Sequence, residues 1–174
     1  MKEDGSIHIR PEDPGSITEL AQIRKINEAA FGGTYEADLV DQLRHDGHAL
    51  ISLVAELDTG LAGHILFSRM WIRTAAALVP AVALAPVAVL PEHQRQGIGS
   101  LLIRRGLELL RDRREKIVIV VGHPAYYPKF GFSTQQAGLL ESPFPREAFM
   151  ALELVPGALD GIQGPVVYPP AFGI

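Results

Sequence analysis

The part of the chain best suited to chemistry runs from Val87 to Ser100 and reads VAVLPEHQRQGIGS. An apolar run typical of a β-strand leads into a polar loop, in which Gly97 and Gly99 open an amphipathic helix. Glycine has no Cβ atom, so its backbone can approach a ligand closely. The first amides of a helix lack partners within it and carry the positive end of the helix dipole. The pattern therefore predicts an anion-binding site that suits a phosphate group.

The spacing of the loop distinguishes among three phosphate-binding motifs. A dinucleotide fingerprint needs a third small residue where Leu102 stands, and a P-loop needs a Gly-Lys-Ser/Thr ending that the sequence lacks. The remaining pattern is Gln/Arg-x-x-Gly-x-Gly/Ala after a strand, which QRQGIG at 94–99 satisfies. The alternative interpretation is a glycine-containing turn between strand and helix that binds no ligand.

A second motif follows, after a predicted strand over Lys116–Val121. Gly122–Phe132 reads GHPAYYPKFGF, and its end has the form Tyr-x-x-x-Gly-Phe. Together the two motifs resemble the GCN5-related N-acetyltransferases (GNAT), whose loop holds the pyrophosphate of coenzyme A. The segment GHPAYYPKFGF is similar to that of a bacterial subgroup of small predicted N-acetyltransferases. Weaker resemblance extends to YEADLVDQLR near the start and to the GPVVYPPAF tail.

The resemblance implies transfer of an acetyl group from acetyl-CoA to a primary amine of a small-molecule acceptor, by direct attack in a ternary complex. It implies no metal. It also implies that the sheet splits at Pro86, so that the main chain after it receives the cofactor arm; a simple strand kink is the alternative. The implied cofactor-binding residues are Val87, Ala88, Val89, Gln94, Arg95, Gln96, Gly97, Ile98, Gly99 and Ser100.

The catalytic residues implied by the resemblance are fewer. Tyr127 matches the tyrosine that protonates the leaving thiolate, although a tyrosine that only packs against the sheet is the alternative. An acceptor amine must lose a proton before attack, yet 82–90, where some relatives carry a glutamate, contains no acid. His123 is the best candidate for the base, because histidine changes charge near neutral pH. A backbone-bonded loop histidine and water-mediated deprotonation are the alternatives, and His64 is expected to be a satisfied core or surface histidine.

Two other functions stay open at this point. One is a catalytically silent module that binds or senses coenzyme A. The other is an acyltransferase that uses another acceptor or a longer acyl donor. The sequence does not identify the acceptor, because acceptor pockets are built from variable helices and loops.

Composition restricts the class of protein. With 174 residues and a net charge of −4, the chain fits one domain over 1–174 and lacks the basic surface expected for a nucleic-acid partner. The absence of cysteine excludes disulfides and thiolate catalysis. No signal peptide is expected, and the uncharged run 75–91 contains three prolines and is shorter than the roughly twenty residues of a membrane span. We therefore expect a cytoplasmic monomer or homodimer without membrane contact, with the first ten or so residues loose and 1–7 disordered.

The expected fold is α/β (α+β), with one mixed, mostly antiparallel sheet of six to seven strands that is flanked by helices and splayed at the cofactor-binding strand. Capping-box spacing of Ser16 and Glu19 predicts the start of the first helix. A hairpin is predicted across Asp58-Thr59-Gly60. The predicted helices are Ser16–Phe31, a second one that contains Leu39, Val40 and Leu43 and stops at Gly47, and Gly99–Arg113; the predicted strands are Ala49–Leu57, Leu61–Ile72, Ala77–Leu90, Lys116–Val121, Phe132–Gln135 and Phe149–Leu154.

Overall fold

The computed structural model describes residues 6–174. Its helices are α1 (Ile17–Phe31), α2 (Tyr35–His45) and α3 (Ile98–Asp112). Its strands are β1 (His8–Pro11), β2 (Ala49–Leu57), β3 (Gly60–Arg73), β4 (Leu78–Val89), β5 (Ile117–Val121), β6 (Leu140–Glu141), β7 (Phe149–Glu153) and β8 (Gly164–Val167). None of the helices in this part of the chain is long and apolar enough to cross a bilayer.

The strands form one open, mixed and mostly antiparallel sheet, which confirms the expected fold class. The strand order is β1-β2-β3-β4-β5-β7, and β8 pairs with both β3 and β6. The pairing of β4 with β5 is parallel, with Val82 opposite Val118 and Ala83 opposite Ile119. Over residues 6–174 the sheet has eight strands, which is more than the six to seven expected.

Three strands were not predicted, and one predicted strand is wrong. Strands β1, β6 and β8 have only four, two and four residues, too few for a periodic pattern to stand out. The strand expected over 132–135 is reduced to a single bridge between Ser133 and Ala151. The Gln136 side chain donates to Gly131 O and to Ser133 Oγ, at 2.8 and 3.0 Å, and a turn begins at Thr134, directly after the bridge.

The first ten or so residues were expected to be loose, and this expectation is wrong for the residues of β1. Ile9 lies opposite Ala55 of β2 in an antiparallel ladder, so residues 8–10 are ordered by main-chain pairing. Residues 6 and 7 have no regular secondary structure. The disorder expected for 1–5 lies outside the described residues.

The chain divides into two compact units. Unit 1 contains the residues up to Leu66 together with Pro86–Gly106, and unit 2 contains Phe67–Ala85 and Leu107–Ile174. The single domain expected over 1–174 stays a prediction.

In unit 1, a group of ion pairs joins β1, α1 and β2. Ser16 Oγ caps α1 by accepting from the Glu19 amide at 3.1 Å, as its spacing predicted. The Glu19 carboxylate does not return to Ser16 but accepts from the Asp13 amide and from Arg10, both at 2.5 Å. Arg10 also reaches Glu56 at 3.1 Å, and its guanidinium holds the pKa of Glu19 below the usual value. The Arg10 ion pairs add to the main-chain ladder that joins β1 to β2.

Candidate active site

The loop after β4 has the geometry of a helix-terminal anion site. Gly97 is exposed and has φ +84°, a conformation that side chains rarely adopt. The first intrahelical bond of α3 runs from the Leu101 amide to Gly97 O at 3.1 Å. The amides of Ile98 and Gly99 therefore precede the helical ladder, at the positive end of the helix dipole. This arrangement fits a phosphate group.

Arg95 precedes Gly97 with an unusual backbone. Its φ is +63°, a left-handed conformation that costs an L-residue about 1–2 kcal/mol. Its side chain is exposed. The Arg95 side chain therefore extends into solvent from the loop that leads into α3.

The main chain of β4 beyond Pro86 alternates in direction. The Leu90 amide donates to Ala62 O of β3 at 2.8 Å. Since successive residues of a strand alternate, the main-chain groups of Val87 and Val89 point away from β3. One of these groups, the Val89 carbonyl, accepts a hydrogen bond from Gln94 Nε2 at 3.1 Å. The main-chain groups of Val87 and the Val89 amide face the same side of β4, away from β3.

Two predicted loop residues brace the loop itself. Gln94 bonds to Val89 O as described, and Gln96 Nε2 lies 3.5 Å from Glu92 O. Both side chains are exposed at the same time. Direct contact of either with the cofactor stays a prediction.

The start of α3 packs onto β3 at Gly63, which the sequence analysis missed. A Cβ atom at Gly63 would lie 3.0 Å from Ile98 Cγ2, 3.1 Å from Leu102 Cδ1 and 3.2 Å from Ala88 O. A side chain there would push the helix off the strand. Glycine at an inward position of a strand that faces this helix was the available signal.

Tyr127 lies in unit 2, in a short 3₁₀ turn over Tyr127–Phe130. Only 8% of it is exposed, and its ring meets those of Tyr126 and Phe132 edge-on, with centroids 5.1 and 5.9 Å apart. Burial is the main cause that raises its pKa to about 12, with a smaller contribution from Tyr126. The phenol therefore keeps its proton at neutral pH.

Gly122 sets the position of the Tyr127 ring. A Cβ atom at Gly122 would collide with Tyr127 Cε2, closer than real contacts allow. The ring lies against the Gly122 backbone, a contact that the sequence analysis did not anticipate. Tyr127 thus packs against Gly122 and neighbouring aromatic rings, and its catalytic role stays a prediction.

His123 shapes the turn that carries Tyr127. Its carbonyl accepts from the amides of Tyr126 and Tyr127, at 3.1 and 3.4 Å, and its side chain is exposed. The residue belongs to unit 2, as Tyr127 does, whereas the loop 94–100 belongs to unit 1. A role for His123 as a base stays a prediction.

His64 is a satisfied core histidine, as expected. It is fully buried in unit 1, where Nε2 lies 2.8 Å from Ser52 Oγ and Nδ1 lies 3.2 Å from Asn27 Nδ2. The Asn27 amide also donates to Ile23 O at 3.0 Å, which fixes its orientation. Nδ1 is therefore the acceptor and Nε2 carries the proton. Burial lowers the pKa of His64 to about 3, and Nε2–H cannot take the Ser52 proton, so this pair is not a catalytic dyad.

Within residues 6–174, no group of three or more histidine or acidic side chains is placed to hold a metal ion.

The strand–loop–helix unit and the mixed sheet define the class of protein. The sequence profile of the acetyltransferase (GNAT) family matches residues 20–132, and the chain belongs to that family.

Several relatives and solved structures are similar to the chain. N-acetyltransferase YjhQ of Escherichia coli (strain K12) is 41% identical over 117 residues, which cover 66% of this chain and 65% of YjhQ. The structure of YhbS from Escherichia coli in complex with CoA has a TM-score of 0.89 at 30% identity, covering 100% of this chain and 96% of YhbS. A GNAT acetyltransferase from Brucella melitensis in complex with acetyl-CoA has a TM-score of 0.79 at 36% identity, covering 97% and 99%.

Proposed function

We propose that this protein is an acyl-CoA-dependent N-acetyltransferase that transfers acetyl from acetyl-CoA to a primary amine of a small-molecule acceptor, by direct attack in a ternary complex. The observation that carries the proposal is the Gly97 turn, with φ +84° and the first amides of α3 behind it. Family membership and the coenzyme complexes of two similar proteins support it.

The chain's own groups fit the donor well. The amides of Ile98 and Gly99 and the side chain of Arg95 are suited to a pyrophosphate, since they combine N–H donors, a helix dipole and a guanidinium. The main-chain groups of Val87 and the Val89 amide point away from β3 and are suited to pair with the amide-containing arm of the donor, as an added strand would. These residues bind and orient the donor.

Acetyl-CoA supplies an activated thioester: the amine nitrogen adds to its carbonyl carbon, after which the C–S bond breaks and the CoA thiolate leaves. We assign Tyr127 as the group that donates a hydrogen bond to the departing sulfur. Its pKa of about 12 lies roughly 3.5 pH units above that of an ordinary thiol, so full transfer of its proton would cost about 5 kcal/mol. We therefore favour a mechanism in which Tyr127 donates a hydrogen bond to the thiolate and solvent delivers the final proton.

The acceptor's proton must leave as well. An alkylamine has a reference pKa of about 10.4, and no carboxylate lies along 82–90 to take the proton. We assign the removal to His123 or to water. The exposed position of His123 gives its ring access to solvent.

The test is an acetylation assay with a panel of small primary amines, matched alcohols and acyl donors of increasing chain length. Free thiol release and acetylated product are followed by absorbance and mass spectrometry. Amide product from acetyl-CoA supports the proposal. Ester product, or preference for a longer donor, would replace it with another acyltransferase. Tight acetyl-CoA binding without any product would replace it with a silent coenzyme-binding module.

A further inference from the structure

Unit 2 contains a pocket that the proposed acetyl transfer does not use. Its volume is about 450 Å³, and its residues come from the start of β4, from the turn between α3 and β5, and from the segment after β7. Val79, Ile117 and Ile162 give it an apolar floor. Arg69, Arg114 and Lys116 bring positive charge to the same space.

The charges in this pocket do not cancel. Glu115 is its acidic lining residue. Arg69 donates to the Glu115 carboxylate through its two terminal nitrogens, Nη1 and Nη2, and Nη1 also donates to Ala81 O. That pair neutralises itself. Within residues 6–174, neither Arg114 nor Lys116 forms a side-chain ion pair. The pocket therefore presents two unopposed cations in a protein whose net charge is −4.

Arg114 has a strained backbone conformation. It follows α3 with φ +62°, and its amide bonds to Arg111 O while the Glu115 amide bonds to Leu110 O, at 2.9 and 3.0 Å. These two bonds make a Schellman motif, in which the left-handed residue is usually glycine. Any residue with a Cβ atom at this position loses about 1–2 kcal/mol relative to an unstrained backbone, and such strain is often found where a side chain serves a site.

We propose that this pocket binds a small organic molecule that carries one carboxylate on an apolar body. Arg114 and Lys116 contact the carboxylate, since a guanidinium matches its two oxygens. Val79, Ile117 and Ile162 contact the apolar body. The inference does not rest on acetyl transfer, because binding in unit 2 is measured without any turnover.

Benzoate is the probe, with benzamide as its neutral isostere and acetate as an anion without an apolar body. Methyl signals of Ile117 and Ile162 are followed by NMR during each titration. We expect both to shift with benzoate, with a Kd on the order of 1 mM, as ligands of this size allow. Benzamide and acetate are expected to bind at least about tenfold more weakly. Absence of a benzoate shift, or equal binding of benzamide, would overturn the proposal.

Arg114→Gly separates a binding role from a structural one. Because glycine suits the backbone, this variant is expected to raise the Tm by about 2–4 °C while weakening benzoate binding about tenfold. Lys116→Gln is expected to weaken binding similarly. Arg111→Gln removes an exposed cation of the same helix end that does not line the pocket, and it is the matched control. Unchanged benzoate binding in both Arg114→Gly and Lys116→Gln contradicts the assignment, as does equal weakening in Arg111→Gln.

Discussion

Arg95 and Arg114 share a backbone conformation that normally selects glycine. Within residues 6–174 they are the two non-glycine residues with positive φ, and each costs about 1–2 kcal/mol for it. Arg95 stands in the loop that we assign to a pyrophosphate, and Arg114 lines the pocket that we assign to a carboxylate. Residues with strained backbones cluster at active sites and ligand-binding positions. The sequence does not reveal φ, so neither strain could be predicted from it.

Tyr127→Phe tests the proposed hydrogen-bond donor. The ring contacts with Tyr126 and Phe132 survive this change, so the fold is expected to hold. We expect kcat to fall by about 10²- to 10³-fold, the usual effect of removing one hydrogen-bond donor from a developing negative charge. Because the pKa of Tyr127 is raised to about 12, the phenol stays protonated up to pH 10 and the variant keeps the shape of the wild-type pH profile. Unchanged kcat rules out this role. A wild-type alkaline limb below pH 10 that the variant loses would instead show that the phenol loses its proton below pH 10 and that its pKa is not raised.

The buried His64 makes the stability of the protein depend on pH. The folded state holds the pKa near 3, whereas the unfolded chain binds the proton from about pH 6.5 downward. Full stability is therefore present above pH 6.5, and it declines by up to about 1.4 kcal/mol per pH unit toward pH 3. In an NMR titration, the imidazole carbon signals of His64 are expected to stay constant from pH 8 to pH 4. A titration midpoint near 6.5 would show that the ring is solvated.

At the scale of elements, the sequence predicted those that carry their own pattern. Helices α1 and α3 and strands β2, β3, β4, β5 and β7 begin and end within one or two residues of the expected bounds, and α2 ends two residues before the expected stop at Gly47, because caps, turn residues and apolar periodicity mark them. Leu102 and Ile103 of α3 are buried while Arg104 and Arg105 are exposed, which fits the amphipathic helix predicted after the glycine loop. Strands β1, β6 and β8 depend on main-chain pairing with distant partners, which leaves no local signal.

Gly63→Val tests whether close packing of α3 on β3 positions the loop. The new side chain would press on Ile98, Leu102 and Ala88 O, so we expect the free energy of unfolding to fall by about 1–3 kcal/mol. Affinity for acetyl-CoA is expected to fall as well, since the first turn of α3 carries the proposed anion site. Denaturant titration and calorimetry measure the two effects.

Gly33→Val is the control for that substitution. A Cβ atom at Gly33 meets nothing within 4 Å, so stability is expected to change by less than about 0.5 kcal/mol. Equal effects of the two variants would show that the contact at Gly63 does not matter.

At the scale of the whole molecule, the sequence predicted the family and the mixed sheet, because two ordered motifs identify a shared architecture. It did not predict the division into two compact units. The pocket of unit 2 could not be predicted from the sequence either, because residues as distant in sequence as Arg69 and Ile162 line it. Single-domain organisation and a monomeric or homodimeric state stay predictions.

The central claim is that the loop 94–100 binds the donor, and calorimetric titration with acetyl-CoA tests it most directly. The wild type is expected to bind with a Kd between roughly 1 µM and 1 mM, the common range for enzyme substrates. Gly97→Val and Gly47→Val both place a branched side chain at a left-handed position, φ +84° and +76°, with open space around it. Both are expected to lose about 1–3 kcal/mol of stability. Only Gly97→Val is expected to weaken acetyl-CoA binding, by at least about tenfold. A wild-type protein that shows no binding at millimolar acetyl-CoA, or equal affinity in the two variants, would contradict the claim.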